Sequence, residues 1–363
     1  KGVIGVIAPW NFPFAIGGFW NACPSILEGN TVILKPSELA PLTGEITAEL
    51  FHEAGFPEGV FNLLHGDGRT GKLLVEDKRI AHIAFTGSRE VADEIKVSCA
   101  KISGRTCNCE MGSKSAVIVF EDGDLDLAAT ACLNSAFKLS GQRCVSAGRL
   151  LVQRTVFEQF KQKFLPLVDD VVVAPPDADL TEYEYSLVYG PLISEEQMNK
   201  VKKFNDMVRN DPSANVLHDP DKEENLVDIC YENGYWLRPF VYEVEWGDKE
   251  YLKKEVFGPH VAIIPFDTIE DAINIYNDTD FGLSLGVITN DYRKMREVRN
   301  SCDAGMIYFN LGSIGAETHQ VFGGVKASGY GGSSAAGMFD NVVHKIAVTV
   351  NHAQTVNFPQ GLK

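Results

Sequence analysis

The chain has 363 residues, 45% of them hydrophobic, and can bury a sizeable core in two domains or slightly more. Its formal net charge of −16 repels phosphate groups, which argues against nucleic acids and anionic membranes as partners. Eight scattered cysteines do not form the dense disulfide framework of a small secreted domain, so we expect free thiols and a cytosolic location.

The first part of the chain raises the question of a membrane span, because no charged residue occurs from Gly2 to Leu27. Pro9, Pro13 and Pro24 argue against one, since a span with so many helix breakers would leave backbone groups unsatisfied. We predict a buried strand, a loop and a buried helix instead. The chain also opens directly in a strand-like run, and we expect that an upstream segment is missing.

Short apolar runs alternate with helical patterns through the first hundred residues. The runs GVIGVIAP, TVILKP, VFNLLHG and HIAFTGS are rich in Val and Ile, which favour strands. Helices are predicted at 17–28, 42–54, 69–76 and 89–98. Apolar strands separated by helices predict a parallel sheet covered on both faces, so we expect a doubly wound α/β layer.

A second α/β series follows. Its strand-like runs are SAVIVFE, GRLLVQ, PFVYEV, HVAIIPF, SLGVITN and GMIYFN. Helices are predicted at 125–139, 155–168, 268–277 and 291–299. The polar and charged region from about 176 to 236, which includes DPDKEENLVD, is predicted to be a surface insertion rather than core.

Three short motifs point to different chemistries. GDGRTG at 66–71 fits the dinucleotide fingerprint G-x-G-x-x-G, although the next strand ends in a hydroxyl residue instead of an acidic one. GLSLG at 282–286 fits the nucleophile elbow of an esterase, but Ser284 precedes a strand instead of ending one. Cys107 and Cys109 could bind a metal, yet no second CxxC or His pair lies close by, and we predict no metal site.

Polar residues stand at the ends of two predicted strands. In FTGS, Ser88 precedes a helix whose free N–H groups could bind a phosphate; the alternative is that Ser88 only caps that helix. In ILKPSE, Lys35 and Glu38 lie at the same edge of the predicted sheet. Ligands of open α/β sheets bind at the carboxyl ends of the strands, so these two residues could contact ribose hydroxyls.

Seven motifs stand in order along most of the chain: APWNFP, ILKPSE, FTGS, EMGSKS, SGQRC, EVFGP and FGGVKASG. In order and spacing they resemble the aldehyde dehydrogenase superfamily. The resemblance implies a Rossmann-like cofactor domain, which we place at 1–112, and an α/β catalytic domain at 113–333 whose loop carries a cysteine. A C-terminal segment at 334–363 would contain a small oligomerisation strand.

The resemblance also implies roles for individual residues. Cys144 matches the nucleophile, Glu110 the general base and Asn11 an oxyanion donor. The implied cofactor contacts are Pro9, Trp10, Lys35, Ser37, Glu38, Gly68, Gly87, Ser88, Glu255 and Phe257. Because the Glu38 carboxylate beside the ribose 2′ position would repel a further phosphate, NAD is favoured, with NADP as the alternative.

This chemistry requires residues of these types. Attack by a thiolate makes the aldehyde carbon tetrahedral, and the resulting oxyanion is stabilised by N–H donors. Loss of hydride to the nicotinamide leaves a thioester, which Glu110 would hydrolyse by activating water. We expect Arg143 and nearby N–H dipoles to favour ionisation of the Cys144 thiol.

The chain departs from the usual family pattern at several positions. Ser113 stands where the family usually has a second glycine, Gly332 and Ser333 replace a frequent Arg-Glu pair, and Val321 replaces a frequent proline. Two alternatives stay open: a relative that passes the thioester to coenzyme A, and an inactive or truncated relative that serves as a structural or binding protein. The first commonly lacks the glutamate that Glu110 matches.

The segment FNLGSIGAETHQVFGG resembles the anchoring loops of enzymes that act on semialdehydes carrying a carboxylate, such as 2-oxoglutarate or aminoadipate semialdehyde. Backbone N–H groups of Gly315 and Ala316 could hold that carboxylate, with Phe322 also on the substrate side. The alternative is a loop that only covers the substrate tunnel. The tail IAVTVNHAQTV alternates like a strand, and in the family such a strand joins a neighbour's sheet, which predicts a homodimer or homotetramer.

Overall fold

The computed structural model describes residues 1–181, 185–221, 234–352 and 354–355. It confirms the predicted α/β class, since the chain builds two mostly parallel sheets with helices packed against their faces.

The first sheet has six strands, of which five run parallel. In spatial order they are Gly329–Tyr330, Thr106–Glu110, Ile80–Thr86, Val3–Ile7, Thr31–Lys35 and Phe61–Leu63. After Val3–Ile7, the strands Thr31–Lys35 and Phe61–Leu63 are added in turn on one side of it. The chain then crosses over, and Ile80–Thr86 pairs with the other side of Val3–Ile7. This reversal opens a crevice at the carboxyl ends of these two strands, the place where open α/β sheets bind ligands.

The second sheet has seven strands. In spatial order they are Asn215–His218, Phe240–Glu243, His260–Phe266, Ala147–Gln153, Ser115–Val119, Ser284–Ile288 and Met306–Phe309. All neighbours run parallel except the first pair. The central strands are buried almost throughout, as their continuous apolar sequences predict.

Helices cover the sheets and their bounds agree closely with most of the predictions. They are Pro41–Glu53, Gly68–Glu76, Arg89–Ala100, Leu125–Phe137, Phe157–Asp169, Glu195–Arg209, Glu250–Lys253, Ile269–Asn277, Tyr292–Ser301 and Met338–Asn341. Several begin at side-chain caps; Asp67, Asp124 and Thr268 each accept a hydrogen bond from the first turn that follows. Three further strand pairs are Val171–Val173 with Leu187–Tyr189, Phe281–Gly282 with Val325–Lys326, and Val321–Phe322 with Ser334–Ala335.

The helix predicted at 17–28 begins earlier and is not regular. A π-helix spans Pro13–Ala22 and continues directly as an α-helix at Cys23–Leu27. Pro13 is the first helical residue, a position that tolerates proline because the N–H group it lacks would have no partner there. The proline therefore marks the start of the helix.

The strand Thr106–Glu110 was not predicted. Its sequence TCNCE has few of the branched and aromatic residues that favour strands. Cys107 and Cys109 pack in the core beneath the sheet, and the strand ends at Glu110. In the described part of the chain, no group of three or more His, Cys, Asp or Glu residues is arranged to hold a metal ion.

The prediction of a surface insertion at 176–236 was wrong where the structure describes this region. The helix Glu195–Arg209 buries Val201, Phe204 and Val208 in the core of the second sheet, and a strand from the same region extends that sheet. The three side chains have the spacing of one helix face, which the many charged residues around them obscured. Most of DPDKEENLVD lies outside the described residues.

Ser284 does not form a nucleophile elbow. It is fully buried at the start of its own strand, and its hydroxyl donates to the carbonyl oxygen of Ser313. An elbow serine must be exposed at the end of a strand, so the esterase alternative is wrong.

The C-terminal tail makes no strand with the rest of the described chain. Ile346, Val348 and Val350 are each more than half exposed, on alternate positions. Pairing of this tail with another subunit stays a prediction. Of the helices that the structure describes, none is both long and apolar enough to cross a bilayer.

Truncating Phe204 tests whether the helix Glu195–Arg209 belongs to the core. We expect Phe204→Ala to lower the free energy of unfolding by about 3–5 kcal/mol, because it removes a buried ring and leaves a cavity. Urea unfolding monitored by circular dichroism measures the change. The exposed neighbour Lys203 is the matched control, and Lys203→Ala should change stability by less than about 0.5 kcal/mol. Equal stability of the two variants would restore the surface interpretation.

Candidate active site

Opposite edges of the two sheets face each other across one cleft. The loops after Val3–Ile7 and Ile80–Thr86, at the carboxyl edge of the first sheet, supply one wall. The segments before Ser115–Val119, Ala147–Gln153 and His260–Phe266, at the amino edge of the second sheet, supply the other. Residues that are far apart in the sequence therefore meet in this cleft.

A cavity of about 210 Å³ lies in the cleft. It brings together nine of the residues predicted from the sequence, namely Pro9, Trp10, Asn11, Gly87, Ser88, Glu110, Cys144, Glu255 and Phe257. The three proposed catalytic side chains thus line a single space.

Cys144 follows a turn with unusual backbone geometry. Leu139, Ser140 and Gly141 lie consecutively in the left-handed region, with φ of 60°, 56° and 67°. This conformation costs roughly 1–2 kcal/mol for each residue with a side chain. Residue 141 must also be glycine for a steric reason, because a Cβ there would lie 2.3 Å from the carbonyl oxygen of Gly258.

Hydrogen bonds hold the residues after this turn. The hydroxyl of Ser113 donates to the carbonyl oxygen of Cys144, and that of Ser313 donates to Val145 at 2.7 Å. The backbone N–H of Ser113 donates to a carboxylate oxygen of Glu255 at 2.8 Å. Ser113 therefore contacts both the cysteine loop and a carboxylate of the opposite segment.

The environment of the Cys144 thiol favours its neutral form. Burial raises the pKa of the thiol to about 12, and the nearby carboxylates of Glu255 and Glu110 act in the same direction. The guanidinium of Arg143 lowers this pKa, as the sequence predicted, but its effect is smaller. The predicted ionisation by Arg143 is thus outweighed in this geometry.

Glu110 stands at the end of its strand with its carboxyl group buried. Burial raises its pKa well above the ordinary value, and backbone groups of Ser334 and Gly324 offset this only in part. Among the described residues, no donor lies in good hydrogen-bonding geometry to either carboxyl oxygen. A carboxylate in this state is a stronger base than one in water.

Asn11 links the loop of the first sheet to the cysteine loop. Its Nδ2 donates to the carbonyl oxygen of Gln142 at 2.9 Å, two residues before Cys144. Gln142 is held in turn, because its Oε1 accepts from the backbone N–H of Ile193 at 3.0 Å. An amide group carries two hydrogens, so Asn11 has a second one to donate.

Glu255 and Phe257 enter the cavity from the second sheet. Burial raises the pKa of Glu255 to about 7, with the backbone of Ser113 opposing this shift. Only glycine allows the carboxylate so close to residue 112, where a Cβ would lie 2.1 Å from Oε2 of Glu255. The ring of Phe257 meets that of Trp10 edge to face, with centroids 5.6 Å apart.

A second, larger cavity of about 690 Å³ lies between the helices Gly68–Glu76 and Arg89–Ala100. Lys35, Glu38 and Gly68, three of the residues predicted to contact the cofactor, line it together with apolar side chains of both helices. The Nζ of Lys35 is 3.4 Å from Oε2 of Glu38. Apolar walls with a charged pair fit the adenosine portion of a dinucleotide.

Ser37 and Ser88 both make local backbone contacts. The hydroxyl of Ser37 accepts from the N–H of Leu39 at 3.2 Å, and Ser37 is not among the residues that line the large cavity. Ser88 caps its helix by accepting from the N–H of Val91 at 3.4 Å, and it also lines the cavity of Cys144. Cofactor contacts of both serines stay predictions.

None of the predicted substrate residues Gly315, Ala316 and Phe322 lines the cavity of Cys144. Phe322 is buried in an apolar cluster that Cys144 also contacts, with its ring 4.8 Å from that of Trp20. The carbonyl oxygen of Gly315 accepts from the hydroxyl of Tyr308 at 2.6 Å. Binding of a carboxylate at Gly315 and Ala316 stays a prediction.

Several residues of the site were missed by the sequence interpretation, among them Ser113, Gln197 and Lys200. Ser113 had a detectable signal, since it replaces a glycine of the matched motif. Gln197 and Lys200 line the cavity but lie in the region that was assigned to the surface. The Nε2 of Gln197 donates to the carbonyl oxygen of Phe257 at 2.7 Å, which fixes the segment that carries the ring.

The reactivity of Cys144 tests the electrostatics of this cavity. Glu255→Gln removes a negative charge that raises the pKa of the thiol, so we expect a lower thiol pKa and faster alkylation by iodoacetamide. At about pH 8.5, where Glu255 with its pKa of about 7 is ionised, the rate should rise about three- to tenfold. Peptide mapping isolates the labelling of Cys144.

The control for this experiment is Glu245→Gln. Glu245 is a largely exposed carboxylate paired with Arg154 and does not line the cavity, so its removal should leave the rate unchanged. An unchanged or slower rate for Glu255→Gln would contradict the proposed repulsion.

The chain is similar in sequence to known proteins. The family model described as "Aldehyde dehydrogenase family" matches residues 1–347. The chain is 35% identical over 328 residues to an alpha-ketoglutaric semialdehyde dehydrogenase of Bacillus subtilis (strain 168) and 33% identical over 330 residues to a 2,5-dioxopentanoate dehydrogenase of Saccharolobus solfataricus. Each match covers 90% of this chain, which spans only 65% and 66% of the length of these relatives.

Solved structures show the same fold. The crystal structure of a Mycobacterium tuberculosis aldehyde dehydrogenase complexed with NAD+ matches 98% of this chain and 70% of its own, with a TM-score of 0.87 and 32% identity. An NAD-dependent aldehyde dehydrogenase from Sinorhizobium meliloti matches 94% of this chain and 65% of its own, with a TM-score of 0.85 and 31% identity. The chain therefore belongs to the aldehyde dehydrogenase family.

Proposed function

We propose that the chain takes part in the NAD-dependent oxidation of an aldehyde to a carboxylic acid, with Cys144 as the acyl carrier. The observation that supports this most is that the thiol of Cys144, the carboxyl of Glu110 and the amide of Asn11 line one cavity. A nucleophile, a base and an oxyanion donor are the three groups that this reaction needs. Family membership supports the same reaction class.

In the first step the sulfur of Cys144 attacks the aldehyde carbon. A C–S bond forms, and the carbonyl oxygen takes up the negative charge, which the amide of Asn11 and the backbone N–H of Cys144 would stabilise. Because burial disfavours the thiolate, the thiol proton must pass to a nearby base. Glu110 and Glu255 line the same cavity, and both carboxyl groups have raised pKa values.

In the second step the tetrahedral adduct collapses to a thioester on Cys144. Bound NAD would supply the acceptor for the hydride that leaves the carbon. Glu110 then removes a proton from water, the resulting hydroxide attacks the thioester carbon, and the C–S bond breaks to release a carboxylic acid. The sulfur leaves as a thiolate, Glu110 releases its proton to the solvent, and the site is ready for another aldehyde.

The residues that line the two cavities support NAD as the cofactor. Lys35 and Glu38 would contact a ribose in the larger cavity, and the first turn after Ser88 would hold phosphate oxygens. Glu255 and Phe257 would contact the nicotinamide beside Cys144. NAD is favoured over NADP because Glu38 would repel a 2′-phosphate.

We propose a semialdehyde carrying a carboxylate as the substrate class. Two relatives are named for such a substrate, called alpha-ketoglutaric semialdehyde in one name and 2,5-dioxopentanoate in the other, and they are 35% and 33% identical to this chain over the matched part. The loop at Gly315 and Ala316 lies next to Ile314, which packs on the same apolar cluster as Cys144. This position supports an anchoring role for the loop.

We also propose a homodimer or homotetramer and a cytosolic location. The alternating exposed side chains of Ile346, Val348 and Val350 suit a strand that pairs with another subunit. The seven cysteines in the described ranges are all free thiols, which suits a reducing compartment.

Two substitutions separate the two chemical steps. Cys144→Ser should lower NADH formation from aldehyde and NAD by several orders of magnitude, because it removes the nucleophile. Glu110→Gln should retain a first turnover but lower steady-state turnover by about 10²–10⁴-fold, because the thioester forms and is not hydrolysed. Stopped-flow absorbance of NADH measures the burst and the steady state in one trace.

Other outcomes would favour the alternatives. Turnover that requires coenzyme A would indicate transfer of the acyl group to a thiol instead of water. No NADH from the unsubstituted protein with any aldehyde of a broad panel would favour a structural or binding role.

Glu38→Gln tests the cofactor preference. Removing this negative charge should lower the KM for NADP by roughly fivefold, corresponding to about 1 kcal/mol at an exposed site, and leave the KM for NAD little changed. Initial rates with each cofactor provide the comparison. Glu49→Gln, at an exposed position on the following helix, is the control. If the unsubstituted protein already preferred NADP, the proposed role of Glu38 would be wrong.

A further inference from the structure

Ser113 holds the backbone of Cys144 from outside the cysteine loop. It lies on the segment that joins the strands Thr106–Glu110 and Ser115–Val119, and its hydroxyl donates to the carbonyl oxygen of Cys144. Among the described residues, no backbone N–H group donates to this oxygen. The position of Cys144 therefore depends on a side chain that lies 31 residues earlier in the sequence.

The hydrogen-bonding capacity of the Ser113 hydroxyl is fully used. A serine hydroxyl donates one hydrogen and accepts with two lone pairs. The backbone N–H of Ser115 donates to the Ser113 oxygen at 3.2 Å, and the Ser115 hydroxyl lies 2.8 Å from the same oxygen. Because the hydrogen of Ser113 goes to Cys144, Ser115 must be the donor in the second contact as well. Ser113 is buried, so its bond to Cys144 is also shielded from water.

The backbone of Ser113 is anchored separately from its side chain. Its N–H donates to Oε1 of Glu255 at 2.8 Å, and Glu255 lines the cavity of Cys144. Ser113 itself does not line that cavity, so it can affect the reaction only through the residues that it holds. Loss of the hydroxyl alone would leave the bond to Glu255 in place.

The bond from Ser113 determines where the Cys144 thiol lies. The carbonyl carbon and the Cβ of Cys144 are bonded to the same Cα, so a fixed carbonyl group restricts the direction of the side chain. The preceding turn has three consecutive left-handed residues, and such strain persists only where surrounding contacts determine the backbone. The backbone N–H of Cys144 lies beside its own sulfur, so the sulfur and this proposed oxyanion donor would shift together.

We propose that Ser113 is a positioning residue, whose hydroxyl holds the sulfur and the backbone N–H of Cys144 in the geometry for attack on the aldehyde. This inference rests on the proposed function. A displacement of about 1 Å in an active site can cost about 10²-fold in rate. Loss of a single hydroxyl outside the cavity should therefore slow the oxidation measurably.

Two reactions of the same thiol separate its position from its intrinsic reactivity. Alkylation by iodoacetamide requires a reactive sulfur but no oxyanion site. Formation of the thioester requires the sulfur and the N–H donors together around one carbonyl group. A single turnover with protein in excess over the aldehyde measures the steps up to NADH formation, and later hydrolysis does not affect it.

The experiment compares the unsubstituted protein with Ser113→Ala. We expect a single turnover that is about 5- to 50-fold slower, because the carbonyl group of Cys144 loses its donor and the loop shifts. Iodoacetamide labelling of Cys144 should change less than about twofold, because the charges around the thiol remain. The KM for NAD should also change less than about twofold, because the bond to Glu255 remains.

Ser25→Ala is the matched control. Ser25 is fully buried and its hydroxyl donates to the carbonyl oxygen of Asn21 at 2.6 Å, but it does not line the cavity of Cys144. Its substitution should leave all three measurements unchanged. Ser113→Gly is a second variant, with the residue that the family usually has at this position, and it should behave as Ser113→Ala does because it also lacks the hydroxyl.

Three outcomes would contradict the proposal in different ways. Equal single-turnover rates in the unsubstituted protein and both Ser113 variants would overturn it. Equal losses in single turnover and in labelling, with a lower melting temperature, would mean that Ser113 only stabilises the fold and would also overturn it. If the unsubstituted protein forms NADH with no aldehyde of a broad panel, the proposed function fails, and this inference fails with it.

Discussion

The site depends on one constraint, which is that the carboxyl edge of the first sheet and the amino edge of the second meet face to face. Four residues, Met111–Lys114, connect Glu110 on one edge to the strand Ser115–Val119 on the other. Within this link, Ser113 contacts both Cys144 and Glu255, and the buried Arg149 donates to the carbonyl oxygen of Lys114. Glu110 and Cys144, the proposed base and nucleophile, are thereby held in a fixed relation, as electrostatic preorganisation requires.

This arrangement buries three acidic groups in one cavity, and burial favours the neutral form of each. Burial raises the pKa values of Cys144, Glu110 and Glu255 together, and the two carboxylates raise that of the thiol further. A positive charge in the cavity would lower all three. The electrostatics therefore couple the reactivity of Cys144 to whatever binds beside it, and Arg143 on the other side supplies part of this charge permanently.

The sequence predicted those parts of the structure that a local hydrophobic pattern or a family motif marks. Continuous apolar runs predicted the parallel strands, and the order of motifs placed Asn11, Glu110 and Cys144 in one site. The helix Glu195–Arg209 was missed because its buried residues are few among many charges, and its polar residue Gln197 contributes through a contact that only tertiary structure creates. The strand ending in Glu110 was missed because strand propensity is outweighed there by pairing with its neighbour. The raised pKa of Cys144 could not be predicted from the sequence either. Burial outweighs the effect of the adjacent Arg143, and burial depends on the tertiary structure.

The central claim is that Cys144 carries the acyl group between oxidation and hydrolysis. Its most direct test is mass spectrometry of the protein after acid quenching during turnover with an aldehyde and NAD, followed by peptide mapping. The account predicts an added mass equal to the acyl group on the peptide containing Cys144, removable by hydroxylamine. An acyl group on another residue, or oxidation of the aldehyde with no covalent adduct at any time, would contradict it.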